Sequence, residues 1–412
     1  MNSKKNVLFI SYDGMTDALG QSQVLPYLIG LSKNDYNIFL ISFEKEIQFS
    51  KLNKEIFNLC NKSNIKWFPQ KYTKRPPILS TIWDLKKMWF VAKKLHKINN
   101  FKLIHCRSYI PAIIGSRLKD KYGIKFLFDM RGFWVDERVD GGQWNLDKWI
   151  YRKVYNVFKK IECNLFSNSD EVVSLTEEGK KELLRWKLNR NEELKINVIP
   201  CCVDLNHFDY KIVNQESKIL YEKKYNLKKE DLVICYLGSL STVYMFDEVL
   251  KVVAEIEKKY SKFKFLIFTH EEKSLVEKKI FNSYIINKEY IYIDSLLRNE
   301  VPIALSVCDY SIFFCKPTKS RKGTSPTRLA ELIACGVKII SNKDIGDSEK
   351  QIKANNLGYV FQGFDDIDYS TFISNHNLSK SFLKEPLFET AKKLFSLEDG
   401  ILKYQGIYHR MI

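Results

Sequence analysis

Residues 310–341, YSIFFCKPTKSRKGTSPTRLAELIACGVKIIS, set a short capped helix between two β-rich runs, 310–315 and 337–341. Ser325 is a good helix N-cap, Pro326 suits the first helical position because its missing N–H would be unpaired there, and Gly336 suits a left-handed stop. The pattern predicts a helix that begins sharply at Ser325. Its free first-turn N–H groups and positive dipole end make an anion site. The loop before it supplies Lys316, Lys319, Arg321 and Lys322 with no carboxylate among them. Glu331 lies three residues after Arg328 and four after Thr327, so these side chains share one helical face, with Glu331 a turn further from the anion. That spacing suits a diphosphate at the helix tip and ribose hydroxyls at the carboxylate. A capped surface helix with an Arg328–Glu331 ion pair is the plainer alternative.

Outward from this unit the same alternation fills the chain. Apolar, β-branched runs at 6–12, 36–43, 65–68, 102–106, 125–129, 171–175 and 196–199 are separated mostly by segments of helical period. After a polar stretch at 206–230 the pattern restarts at 232–237 and continues through 263–268, 290–293, 310–315, 337–341 and 359–361. The expectation is two doubly wound α/β domains, 1–205 and 206–387, with a helical segment, 388–412, packing back on the first. A length of 412 residues fits two such cores. Ligands of these sheets bind beyond the carboxyl ends of the strands, which directs attention to the residues that follow each run.

Composition narrows the partners. A formal charge of +17, most of it lysine, raises affinity for anionic surfaces and phosphorylated substrates. Basic residues spread along both halves, with no helix-turn-helix, zinc-finger or aromatic-basic sheet signature, argue against nucleic acid. The start of the chain leads straight into a strand, and no run of eighteen apolar residues occurs, so neither secretion nor membrane crossing is expected. Nine cysteines with no Cys-x-x-Cys pair, most of them in apolar runs, fit reduced buried thiols and a cytoplasmic location. Residues 67–101 add a second expectation. Trp83, Leu85, Met88, Trp89, Ala92 and Leu95 alternate there with Lys86, Lys87, Lys93, Lys94 and Lys97. Such a helix lies on the inner face of an anionic membrane, or buries its aromatic stripe and turns its lysines to water.

Three strand-end loops of the first half carry chemistry-bearing groups. After the first strand, 13–23 places Gly14 and Gly20 before a helix, where bare backbone admits a ligand, but without the Gly-x-Gly-x-x-Gly spacing of dinucleotide sites. Residues 127–138 bring together Asp129, Arg131, Asp136 and Glu137, with an Asp129–Arg131 pair as the structural alternative. His105 and Arg107 end a third strand, and a histidine so placed is more often hydrogen-bonded structure than catalyst.

Taken together these residues resemble the retaining glycosyltransferases of family 4, whose GT-B fold sets two Rossmann-like domains across a cleft. Residues 198–208, Val-Ile-Pro-Cys-Cys-Val-Asp-Leu-Asn-His-Phe, are similar to the family's Ile-Pro-x-x-Val-Asp-x-x-x-Phe segment, and 171–176 to the strand before it. Tyr236-Leu237-Gly238-Ser239 resembles its second-domain glycine turn. Residues 325–336 look like the donor helix of capsule and O-antigen enzymes, with Arg328 in the place of a lysine. Three departures accompany the likeness. Many members carry two glutamates eight residues apart, and Glu331 matches the second while residues 310–330 offer no carboxylate. The Arg and Lys that usually follow the second-domain glycine are replaced by Ser239 and a Ser241-Thr242-Val243-Tyr244 run, and the family's sugar-contacting histidine by Arg131.

The resemblance implies transfer of a sugar, with retention and without metal or cofactor, from a nucleotide sugar (UDP favoured) to a saccharide or lipid-linked acceptor. Donor-site residues are then Gly20, Gly238, Ser239, Lys316, Arg321, Lys322, Thr324, Ser325, Thr327, Arg328 and Glu331. Catalytic assistance falls to Arg131, Asp136, Lys316 and Arg328, and acceptor contacts to Arg107, Asp129, Arg131 and Glu137. An inactive scaffold subunit and a sugar-nucleotide epimerase on the same fold remain open alternatives.

Overall fold

The computed structural model describes residues 4–285 and 287–412, apart from the side chains of residues 242 and 366–368. The chain forms two compact units. The first contains Met1–Cys202, Ser320–Thr324 and Leu397–Ile412, and the second Val203–Lys319 and Ser325–Ser396.

Seven strands form the sheet of the first unit: β1 (Lys5–Ser11), β2 (Tyr36–Glu44), β3 (Ile65–Lys71), β4 (Leu103–Arg107), β5 (Lys125–Asp129), β6 (Glu171–Ser174) and β7 (Lys195–Val198). They are parallel, in the order β3-β2-β1-β4-β5-β6-β7. Parallel strands covered on both faces read as continuous apolar runs, and Val7, Leu8, Phe9 and Ile10 are all buried. One face packs against Met88 and Ala92 of the Leu79–Asn99 helix and Leu165 and Phe166 of the Trp149–Asn168 helix. The other packs against Leu25 and Leu28 and against Tyr404, Ile407 and Tyr408 of the last helix, Leu397–Met411. The order reverses between β1 and β4, which makes the carboxyl ends of those strands the switch point of the sheet.

The second unit repeats the plan with six parallel strands: β8 (Leu232–Leu237), β9 (Phe263–Phe268), β10 (Ile291–Asp294), β11 (Tyr310–Ile312), β12 (Lys338–Asn342) and β13 (Gly358–Phe361). Their order is β10-β9-β8-β11-β12-β13, with the switch point between β8 and β11. The expected strands therefore lie within a few residues of those observed. The helical segment 388–412 differs, because it is two helices divided between the units. Glu385–Phe395 stays in the second unit, where the Phe395 carbonyl accepts a 2.8 Å hydrogen bond from the Val203 N–H, and Leu397–Met411 belongs to the first.

Candidate donor and acceptor sites

At the switch point of the second unit, β8 ends in Leu237 and the chain turns through Gly238, whose φ of +139° is open only to glycine at low cost. A Cβ on Gly238 would lie 2.5 Å from Nη2 of Arg328, so the missing side chain is also what lets the guanidinium approach the backbone. Arg328 comes from the helix after β11, Thr327–Ala334. Its Cζ stands 4.3 Å from the centre of the Tyr244 ring, 5.7 Å from that of Phe313 and 6.0 Å from that of Tyr236. Nη1 is buried without a hydrogen-bond partner, and no carboxylate pairs with the group among the described residues. A desolvated cation held by aromatic faces, with a donor left over, favours an anionic ligand. Lys316, exposed, follows β11 with its N–H bonded to the Val243 carbonyl at 2.9 Å.

One turn along the same helix Glu331 is nearly enclosed, its side chain 15% exposed. The Arg328–Glu331 ion pair of the plainer alternative does not form. Arg328 turns towards Gly238, and Glu331 Oε1 instead lies 3.8 Å from Nη1 of Arg298. Burial pushes the Glu331 carboxyl up to about 7, against the opposing pull of Arg298 and Arg328. The helix also starts later than the sequence predicts. Pro326 occupies the cap position in an extended conformation, without a side-chain cap, and Thr327 is the first helical residue. Its end is as expected: Gly336 has φ +71°, its N–H bonds to the Ile333 carbonyl, and the Val337 N–H bonds to that of Leu332.

The switch point of the first unit is a charge network. Arg107 Nε donates to Asp13 Oδ2 at 3.3 Å, and Arg107 Nη1 lies 3.9 Å from Asp129 Oδ2. Tyr404 O–H donates to the same Asp129 oxygen at 3.1 Å, while Arg131 Nη1 is 3.8 Å from Asp129 Oδ1 and Arg131 Nη2 donates to Cys201 Sγ at 3.2 Å. Burial opposes a charge on Asp129, but Arg131, His105 and Arg107 together hold its pKa below the ordinary carboxylate value. His105 bonds through Nδ1 to the Tyr408 hydroxyl at 2.7 Å, and burial lowers its pKa. Beside this network buried Glu44 organises the loop after β1. Its oxygens accept from the N–H groups of Met15 (2.8 Å) and Thr16 (3.1 Å) and from the Thr16 hydroxyl (2.6 Å). Gly20 packs there against bare backbone, for a Cβ would lie 2.1 Å from the Gly14 carbonyl oxygen.

Residues 320–324 complete this edge. Ser320 donates to Asp140 Oδ2 at 2.5 Å, the Thr176 hydroxyl to the Lys322 carbonyl at 2.5 Å, and Lys322 Nζ to Glu182 Oε2 at 2.7 Å. Arg321 is buried, with Nη1 3.4 Å from the Thr324 hydroxyl and Nε unpartnered.

Residues 31–207 match the domain described as Glycosyltransferase Family 4, and residues 217–374 the one described as Glycosyl transferases group 1. Both halves of the chain are glycosyltransferase domains. The fold is of the GT-B type, by likeness to solved structures. The chain is similar to a sucrose-phosphate synthase from Thermosynechococcus elongatus (14% identity, 99% of each chain, TM-score 0.74). It is also similar to a glycosyltransferase from Rickettsia africae (18% identity, 99% of this chain and 98% of that one, TM-score 0.67). A third is Anabaena HepE, solved in complex with UDP and glucose (11% identity, 98% and 100%, TM-score 0.70). No curated protein matches the chain in sequence.

Within these glycosyltransferase domains the expected site residues separate into two groups. Gly238, Ser239, Lys316, Thr327, Arg328 and Glu331 gather at or beside the switch point of the second unit, and Arg107, Asp129 and Arg131 at that of the first. Three others, and Asp129 of the first-unit group, have partners that the catalytic, donor or acceptor readings do not anticipate. Asp136 accepts from Tyr155 O–H at 2.8 Å and Lys159 Nζ at 3.1 Å, which ties it to the Trp149–Asn168 helix. Lys322 spends its charge on Glu182, Arg321 lies in the first unit beside Glu137, and Asp129 is enclosed by cations and Tyr404. Sequence reasoning missed Arg298 and Glu44. Arg298 directly follows the strand-end residues 295–297, so the rule of inspecting strand ends reaches it when carried one residue further.

Along the Leu79–Asn99 helix Met88, Ala92 and Leu95 are buried, and Leu85 and Trp89 pack against the core. Trp83, by contrast, is exposed, as are Leu79, Ile82, Phe90 and Ile98. Among the described residues no helix is long and apolar enough to cross a membrane.

Proposed function

We propose that the protein moves a sugar, with retention and without a metal ion, from a nucleoside diphosphate donor, UDP-sugar by preference, to a saccharide or lipid-linked acceptor in cell-surface polysaccharide synthesis. The observation that carries this reading is half-buried Arg328 beside Gly238, whose Nη1 is buried without a hydrogen-bond partner and which no carboxylate pairs among the described residues. As the glycosidic bond breaks, negative charge grows on the leaving β-phosphate, and a preorganised guanidinium in a desolvated setting stabilises it more than the ground state. Lys316 adds a second cation, and Glu331 offers an acceptor to the ribose hydroxyls. In the free enzyme Arg328 and Glu331 both bear the cost of burial with incomplete pairing, which a bound nucleotide would offset.

Ligand binding to the native state stabilises it, by roughly 2.7 kcal/mol at a hundredfold excess over Kd, which for domains of this size amounts to several degrees in Tm. Saturating UDP should therefore raise Tm, GDP and ADP less, and chelation with EDTA should leave both binding and slow UDP-sugar hydrolysis unchanged. A Tm indifferent to every nucleotide and nucleotide sugar tried would end the proposal.

The exposed Leu79, Ile82, Trp83 and Phe90, set among Lys86, Lys93 and Lys94, support peripheral attachment to an anionic bilayer, where a lipid-linked acceptor would reside. Flotation with vesicles containing phosphatidylglycerol should carry the protein upward, and Trp83→Ser with Phe90→Ser should reduce the floated fraction severalfold. Equal flotation with neutral vesicles would contradict the charge-dependent contact.

A further inference from the structure

A carboxylate withdrawn from water is ordinarily satisfied by hydrogen bonds or by a close cation, and Glu331 has neither. Among the described residues it accepts no hydrogen bond, and the cation paired with it, Nη1 of Arg298, stands 3.8 Å from Oε1. That separation lies within Coulomb reach but beyond a hydrogen bond, so it occupies no lone pair of the carboxylate.

Arg298 is fixed from its other side. β10 ends at Asp294, and the chain then enters a single 3₁₀ turn, Arg298–Glu300, before which the Leu297 N–H donates to Glu300 Oε2 at 2.6 Å. The Arg298 carbonyl accepts from His207 Nε2 at 3.1 Å, and the guanidinium lies over the buried Phe208 ring, with Cζ 5.4 Å from its centre. A surface arginine usually keeps its rotamer freedom, which an ion pair must then restrict. Here two consecutive residues, His207 and Phe208, hold the backbone and the head group of Arg298 before any ligand arrives. All four residues belong to the second unit. Burial pushes the Glu331 carboxyl up, and the charges that pull it back are Arg298 and, on its own helix, Arg328. One turn further along that helix stands the buried Cys335 thiol, on which Asp209 and Lys384 also act.

Resting on the reading of Glu331 as the acceptor for the ribose hydroxyls, we propose that Arg298 is a positioning residue for the nucleotide: from 3.8 Å it keeps Glu331 charged and aimed while leaving both carboxylate oxygens to the ribose. A hydrogen-bonded partner would consume one of those oxygens, and with no cation near it the buried carboxyl would stay protonated at neutral pH and offer one acceptor fewer.

The test is the ratio of UDP affinities between wild type and variant across pH, in which the nucleotide's own ionisations cancel. Calorimetry with UDP at pH 6, 7 and 8.5 compares wild type, Arg298→Met, Arg298→Lys, Glu331→Gln and the variant carrying both Arg298→Met and Glu331→Gln. Removing one opposite charge at this distance should move the acid limb of UDP binding up by about one pH unit. Arg298→Met should therefore bind UDP roughly tenfold more weakly than wild type at pH 6, about fivefold at pH 7 and within about twofold at pH 8.5. Arg298→Lys keeps the charge and should recover most of the loss. In the Glu331→Gln background, Arg298→Met should change UDP affinity by less than about twofold at every pH. A ratio that is the same at all three pH values, or a loss that persists in the Glu331→Gln background, would make Arg298 a direct nucleotide contact, a structural residue or a bystander, and would overturn the proposal with UDP binding intact. If Glu331→Gln binds UDP as wild type does, the ribose reading fails and this proposal with it, and a wild type that binds no UDP removes the donor site altogether.

Discussion

Arg328→Met should lower UDP-sugar turnover by about 10²- to 10³-fold, the range seen when one preorganised donor to a developing oxyanion is removed, while leaving Tm at or above that of wild type. The two halves of this expectation have one cause. Half-buried Arg328 lies over Tyr244 with Nη1 buried and unpartnered and, among the described residues, no carboxylate paired with it, so the folded protein bears the desolvation of that nitrogen for the sake of a ligand. Methionine keeps much of the apolar stem against Tyr244 and Phe313 and removes the charge. Arg328→Lys keeps the charge but loses the planar fork and its stacking on the ring, and should fall between. UDP titrations and thermal melts on the three proteins suffice. A methionine variant with wild-type UDP affinity would dismiss Arg328 as a phosphate ligand, and one that melts well below wild type would make it a structural residue.

The contrast between Arg328 and Lys322 marks how far the sequence could be read. Strand positions were legible because a parallel sheet covered on both faces demands unbroken apolar runs, and Val7–Ile10 or Leu232–Tyr236 can hardly be anything else. Reading Ser325 as the cap missed by one residue, since Pro326 holds the extended cap conformation itself. The end of the same helix was read correctly, because only Gly336 could supply the left-handed turn. Charge was harder. Lys316, Lys319, Arg321 and Lys322 look alike along the chain, yet Lys322 is neutralised by Glu182, which lies 140 residues away, and Arg321 lies beside Glu137. Spacing within a helix left an Arg328–Glu331 pair open as an alternative, but aromatic rings from Tyr236, Tyr244 and Phe313 draw the guanidinium to Gly238 and leave Glu331 to Arg298. Partners contributed by distant segments decide which cation is available to a ligand, and no local pattern records them.

Glu331→Gln should make the protein more stable and a poorer enzyme, with pH deciding by how much. Burial holds the Glu331 carboxyl at about 7 against an ordinary 4.5, so between those values the native state retains a proton that the unfolded chain releases. The resulting stabilisation is complete below the unfolded value and is lost as pH rises through 7, above which the native state carries a desolvated carboxylate. Glutamine removes that penalty. The variant should therefore gain up to roughly 3 kcal/mol over wild type at pH 8, and little or nothing near pH 4.5. Binding should run the other way. Two ribose hydroxyls need an acceptor with both oxygens free, which only the ionised form provides, so wild-type UDP affinity should weaken towards tenfold per unit as pH falls below 7. In Glu331→Gln that acid limb should vanish, and affinity at pH 8 should drop by roughly 10- to 100-fold, the worth of hydrogen bonds to a charged acceptor. Comparison with 2′-deoxy-UDP locates the contact. Wild type should prefer UDP and the glutamine variant should scarcely distinguish the two. An unchanged preference for UDP in the variant would move the ribose away from Glu331, and a variant less stable than wild type at pH 8 would mean that Arg298 pairs with the carboxylate strongly enough to outweigh its burial.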